Sequence, residues 1–153
     1  MRRAAAGAIA LSVVLGGCAM QDDSLIELTP TQAAAAYRDA ICRVLQTDGD
    51  VGAALTSDDH DAVFEAARAR AEVLSNRGIT VSEQHEWPAG AEAVWQVDEA
   101  LSRELSWVLA VAGASSTAAA RAVPRPDLAQ RASLDQHVRA ALALPADDVE
   151  LCR

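Results

Sequence analysis

Few residues in this chain could do chemistry: the cysteines Cys18, Cys42 and Cys152, the histidines His60, His85 and His137, and the acidic turn Asp48-Gly49-Asp50. A zinc site draws on two or three imidazoles at workable spacing, often four residues apart on one helix face. Successive histidines here stand 25 and 52 residues apart. A di-iron bundle needs Glu-x-x-His on two helices, yet three residues before the histidines stand Ser57, Ser82 and Leu134. The acidic turn does not extend into an EF-hand calcium loop, because the fifth position, which needs a ligand, is Gly52 and the sixth, which needs glycine, is Ala53. Ser115 and Ser116 lie outside any G-x-S-x-G pattern, no glycine-rich phosphate loop is present, and no two cysteines form C-x-x-C. The expectation is a protein that is not an enzyme, with no catalytic residues, no metal and no cofactor; only a cluster assembled by tertiary folding would escape this reading.

The elements that would position these residues read as helices. Thr29-Pro30 is a helix start, a threonine cap followed by proline at the first helical position. Ala34, Tyr37, Ile41, Val44 and Leu45 then recur at helical spacing. A second helix begins near Ser57, with Asp58, Asp59 and Asp61 favoured in its first turn by the helix dipole. Its stripe is Val63, Phe64, Ala67, Ala71 and Leu74, and Asn76-Arg77-Gly78 is its stop. Residues 79–87 are a connection: Ile79 and Val81 alternate, but a lone strand has nothing to pair with.

The longest helix runs from about Ala91 to Ala112, with Val94, Val97, Leu101, Leu105, Val108 and Ala112 in a narrow sector, widened on one side by Leu109. Trp95 and Trp107 stand on opposite flanks, which predicts core or core-edge positions and makes them the candidate ligand or partner contacts. After a small, polar stretch ended by Pro124 and Pro126, a last helix near Asp127–Leu144 is expected to bury Leu128, Leu134, Val138, Ala141 and Leu142. The fold class is all-α, a single four-helix bundle-like domain.

The N-terminus carries an address. Arg2-Arg3, an apolar run from Ala4 to Leu15, and Leu15-Gly16-Gly17-Cys18 follow one another. The run is shorter than the ~20 residues a permanent span needs and has the proportions of an export signal. With leucine three residues before a cysteine and two glycines between, the segment resembles a bacterial lipobox. That resemblance implies cleavage before Cys18, a diacylglycerol on its sulfur and anchoring at the outer face of the cell membrane. The chain then divides into a lipoprotein signal peptide at 1–17, a lipidated N-terminus and short tether at 18–28, and a helical domain at 29–153. A tether of this length reaches at most ~35 Å.

Without the leader, eleven arginines face 22 acidic residues, and the chain has no lysine. Such a surface is repelled by phosphate backbones and anionic lipid, so nucleic acid is excluded as a partner. The arginine-only, alanine-rich composition points to a GC-rich, actinobacterial genome. In an oxidising compartment the remaining Cys42 and Cys152 are expected to form an intramolecular disulfide, with free thiols or an intermolecular pair as the alternatives.

"LTPTQAAAAYRDAICRVL", the Trp87-Pro88 pair before an apolar helix, and "VRAALALPADDVELC" together resemble a group of small actinobacterial lipoproteins. These carry Tyr and Cys on the first helix and a terminal Leu-Pro shortly before Cys. The matching positions are Tyr37, Cys42, Leu144, Pro145 and Cys152, spread over nearly the whole mature chain. Leu142-Ala143-Leu144-Pro145 stands where the group has Leu-Gly-Leu-Pro. The resemblance implies a lipid anchor, a helical domain and the disulfide, and it transfers no catalytic residue.

Two non-enzymatic readings compete. One is an anchored module that binds another envelope protein, with an exposed aromatic patch rimmed by charge as its mark. The other is a small-ligand or lipid-binding domain with an apolar pocket lined by Trp95, Trp107, Phe64 and Tyr37.

Overall fold

In the computed structural model, residues 26–77 and 85–153 are described. The leader at 1–17, Cys18 with the first part of its tether, and Ile79 and Val81 lie outside the described residues. Four long helices carry the domain: α1 (Pro30–Leu45), α3 (His60–Ser75), α4 (Val94–Ala112) and α6 (Leu128–Ala141). Short helices α2 (Asp50–Ala54), α5 (Thr117–Arg121) and α7 (Asp148–Leu151) fill the turns between and after them. The chain is all-α, with α3 and α4 packed most extensively and α6 against α4.

Helix starts follow local chemistry. Thr29 Oγ1 accepts from the Gln32 N–H, Gln32 Oε1 accepts from the Thr29 N–H, and Pro30 needs no partner for its nitrogen. Asp59, Ser116, Asp127 and Asp147 cap α3, α5, α6 and α7 in the same manner. Gly49 precedes α2 at φ +91°, a left-handed conformation that costs glycine nothing.

One expectation fails at the tether. Ile26–Glu27 forms a short strand, β1, that pairs in parallel with β2, His85–Glu86. The Leu28 N–H extends the ladder to the Glu86 carbonyl at 3.0 Å. The connection after α3 therefore has a partner, supplied by the segment before α1. Leu28, assigned from sequence to the tether, is part of the core.

Apolar stripes predict part of the interior. Tyr37, Ile41, Val44, Val63, Ala67, Leu74, Val94, Val97, Leu101 and Val108 are buried as expected. Phe64, Leu109 and Ala141, expected inside, are exposed. Charged side chains take up buried faces of three helices instead. Arg70 of α3 is 1% exposed and Glu104 of α4 is 2% exposed. Arg70 donates through Nε and Nη2 to Glu104 Oε1 at 2.8 and 2.6 Å, through Nη2 to Asp48 Oδ1 at 3.1 Å, and through Nη1 to Thr47 Oγ1 at 3.0 Å and to the Val44 carbonyl. Arg131 of α6 donates to Asp48 Oδ2 at 2.6 Å. Its Nη1 lies 3.2 Å from Glu104 Oε2, too poorly aligned for a hydrogen bond, so that contact is coulombic. Two arginines and two carboxylates thus join α1, α3, α4 and α6.

A second polar knot lies one turn further along α6. The Tyr37 hydroxyl donates to Asp135 Oδ1 at 2.8 Å, and Arg139 donates to the same carboxylate and, at 2.7 Å, to Asp148. Burial holds the Tyr37 phenol far above its ordinary pKa, and the neighbouring Asp135 carboxylate pushes in the same direction. Burial acts against the charge on Arg139, but its bonds to Asp135 and Asp148 outweigh that and raise its pKa. Beside this knot Cys42 and Cys152 sit at disulfide distance, with Cα atoms 5.6 Å apart.

Arg70→Met is expected to lose about 3–5 kcal/mol, because Glu104 is left buried without its main cation, whereas Arg70→Met with Glu104→Leu should lose less. Urea unfolding followed by circular dichroism measures both together with Glu104→Leu alone, and a double-variant loss equal to the sum of the two single losses would show that the pair is not coupled. Reduction of Cys42–Cys152 should lower stability by about 2–4 kcal/mol, as the closed loop of 110 residues opens in the unfolded chain. An unchanged midpoint with both thiols alkylatable in the folded protein would show that no bridge forms.

Candidate functional site

One feature that could receive a partner is a cleft of about 490 Å³ beside the β1–β2 pair, lined chiefly by Glu27, Glu86, Trp87, Pro88, Glu92 and Trp95. Each wall has a local cause. Glu27 and Glu86 are directly opposite in the parallel register. Trp87 turns inward, 8% exposed, and meets the Tyr37 ring edge to face at 6.4 Å and 89°. Because the Tyr37 hydroxyl is fixed by Asp135, the position of Trp87 is tied to the polar knot.

Pro88 to Gly90 then reverse the chain. The Pro88 carbonyl accepts from the Ala91 N–H at 3.0 Å, and Gly90 takes φ +90°, where a side chain would be strained. The Gly90 N–H donates to Glu92 Oε1 at 3.0 Å. That backbone bond, reinforced by the N–H of Glu92 itself and slightly by His137, holds the Glu92 carboxyl below the usual glutamate range. The carboxylate stays ionised at neutral and mildly acidic pH. Its small contribution to folding is present above the ordinary glutamate pKa and is lost as pH falls through the lowered one.

Trp95 is the second residue of α4. That helix buries Val94, Val97, Leu101, Glu104 and Val108, so its outer face carries Trp95, Gln96, Glu99 and Arg103. Trp95 is 45% exposed. The other candidate contact does not join it. Trp107 is 6% exposed, with the Arg125 guanidinium 5.3 Å from its ring centroid. It is a core residue and offers no surface to a partner. The cleft that Trp95 lines includes none of Trp107, Phe64 or Tyr37, and Tyr37 is fully buried. The aromatic pocket imagined from sequence therefore does not assemble. The space between α1 and α6 is about 100 Å³, with Asp48, Arg131 and Asp135 in its walls, too small and too polar for a drug-sized ligand.

Other residues with chemical potential have structural work. Both oxygens of Asp48, from the acidic turn, are engaged by arginines. Cys42 and Cys152 pair with each other. Among the described residues no cluster of three histidine, cysteine, aspartate or glutamate side chains could hold a metal ion, and no helix is long and apolar enough to cross a membrane. The cleft carboxylates escaped the sequence reading. Residues 86–95 do crowd two glutamates and two tryptophans into ten positions, a local signal, but nothing in the sequence brings Glu27 to them. Compared with known proteins, the chain matches no family model, no curated protein and no solved structure.

The Glu92 carboxyl, followed by carbon-detected NMR through an acid titration, is expected to ionise below the ordinary glutamate value. An ordinary midpoint would show that the Gly90 N–H bond does not persist in solution.

Proposed function

We propose that the protein is an exported, lipid-anchored, noncatalytic interaction module. Cys18 carries diacylglycerol at the outer face of the cell membrane, and the helical domain docks another envelope protein through the Trp95 cleft. The observation that carries this reading is a half-exposed indole among three carboxylates on an otherwise close-packed helical domain. An aromatic surface rimmed by charge marks a protein-contact site better than a small-molecule pocket, which would be mostly apolar.

The place of the cleft supports the same reading. Glu27 lies on β1, only nine residues after Cys18. Such a link reaches at most ~32 Å, so the cleft would stay near the membrane surface, where neighbouring envelope proteins present their membrane-proximal segments. The strongly acidic chain has no basic patch to add to the lipid, so the acyl chains supply the attachment.

Two measurements test the proposal. Cys18→Ala should accumulate as unlipidated precursor, seen by intact mass; recovery of acylated protein would remove the anchor from the reading. A photo-crosslinking residue at position 95 should capture a discrete partner in intact membranes, while the same residue at position 35, on the exposed side of α1, should not. Equal patterns from both positions would remove the cleft from the reading.

A further inference from the structure

We infer that the Trp95 cleft receives a basic, extended peptide segment of the partner protein, seating an arginine or lysine side chain against the Trp95 indole and among Glu27, Glu86 and Glu92. This rests on the cleft being the docking face and adds the chemistry of what docks there.

Charge complementarity is the first argument. Among the described residues, the carboxylates that are buried or half-buried, Asp98, Glu104 and Asp135, each face an arginine. Glu27, Glu86 and Glu92 are exposed and have no arginine partner among the described residues, and no described basic residue lines the cleft. The depression between α1 and α3, of similar size, carries Arg43 as well as Glu72, so its walls hold both signs. The Trp95 cleft holds one sign only. An indole face attracts cations through its quadrupole, so the aromatic and the acids favour the same ligand group.

The extended backbone beside the cleft and the size of the cleft favour a peptide over a free cation. The β1–β2 pair has no third strand among the described residues, and pairing of an extended segment with a short sheet is a common mode of peptide recognition. A cleft of about 490 Å³ also exceeds what one ammonium group fills. A zwitterionic lipid headgroup fits less well, because its phosphate would face the same three carboxylates that attract its amine.

The test uses the full chain purified in a nonionic detergent and two fluorescein-labelled peptides, one alternating glycine with arginine, the other alternating glycine with citrulline, which is similar in shape and uncharged. The arginine peptide should bind, and the citrulline peptide should bind about tenfold or more weakly, with added salt narrowing the gap. Trp95→Leu should weaken arginine-peptide binding about fivefold, with Trp95→Phe between it and the parent, as expected for a cation on an aromatic face. Glu92→Gln and the triple change Glu27→Gln, Glu86→Gln, Glu92→Gln should weaken it progressively, with circular dichroism unchanged because all three side chains are exposed. Equal affinity for the two peptides, no binding at low salt, or binding indifferent to these substitutions would each overturn the inference. Displacement by glycerophosphoethanolamine as effective as by unlabelled arginine peptide would overturn it in favour of a lipid headgroup. A discrete crosslink from position 95 together with failed peptide binding would keep the docking reading and remove only the basic peptide.

Discussion

The guanidinium of Arg70 lies where the end of α1, the turn after it, and helices α3, α4 and α6 converge, and its surroundings set the terms for the rest of the packing. A buried cation is tolerable only when its donors are met. Here Glu104, Asp48, Thr47 and the Val44 carbonyl all accept from it, and Arg131 compensates the same two carboxylates from the far side. Any slip of α3 along α4 would misalign this set. Alanine-rich helices alone leave such sliding cheap, because small side chains interlock weakly. The buried ions supply the register that bulky apolar side chains would otherwise supply.

The same arrangement decides where the negative charge resides. The central network is balanced, two arginines against two carboxylates, and Arg139 offsets Asp135 in the second knot. The net charge of −9 is therefore carried outside these networks. The domain repels polyanions at long range, while its interior stays close to neutral.

The cleft depends on this interior without being part of it. Arg139 and Tyr37 fix Asp135, Tyr37 supports Trp87, and Trp87 forms a wall of the cleft. Glu92 is held from the other side by the Gly90 backbone. The proposed docking surface, on a short loop, is thereby supported by side chains whose rotamers are set by packing, which would lower the entropic cost of receiving a partner. The β1–β2 pair ties the segment before α1 to the same place, so attachment and recognition would share one end of the domain.

Helix positions, caps and the all-α class were legible in the sequence because they are local: Thr29-Pro30, Asp59 and Asp127 satisfy backbone donors within three residues, and the Val94–Val97–Leu101–Val108 stripe follows from helical period alone. An oxidising compartment was the premise on which Cys42 and Cys152 were expected to pair, with free thiols or an intermolecular pair as alternatives, and their 5.6 Å Cα separation agrees with the pair. Tertiary structure alone decided the rest. Periodicity counts apolar residues, so it placed Phe64 and Ala141 inside and overlooked Arg70, Glu104, Arg131, Asp135 and Arg139, whose burial depends on opposite charges meeting across helices distant in sequence. It also gave the two flanking tryptophans of α4 equal standing. Only the packing of α3, α4 and α6 buried Trp107 and left Trp95 outside. The β1–β2 pairing, and with it the meeting of Glu27 with Glu86, joins segments nearly sixty residues apart, a contact that no local pattern encodes because its partners are chosen by where the intervening helices turn back.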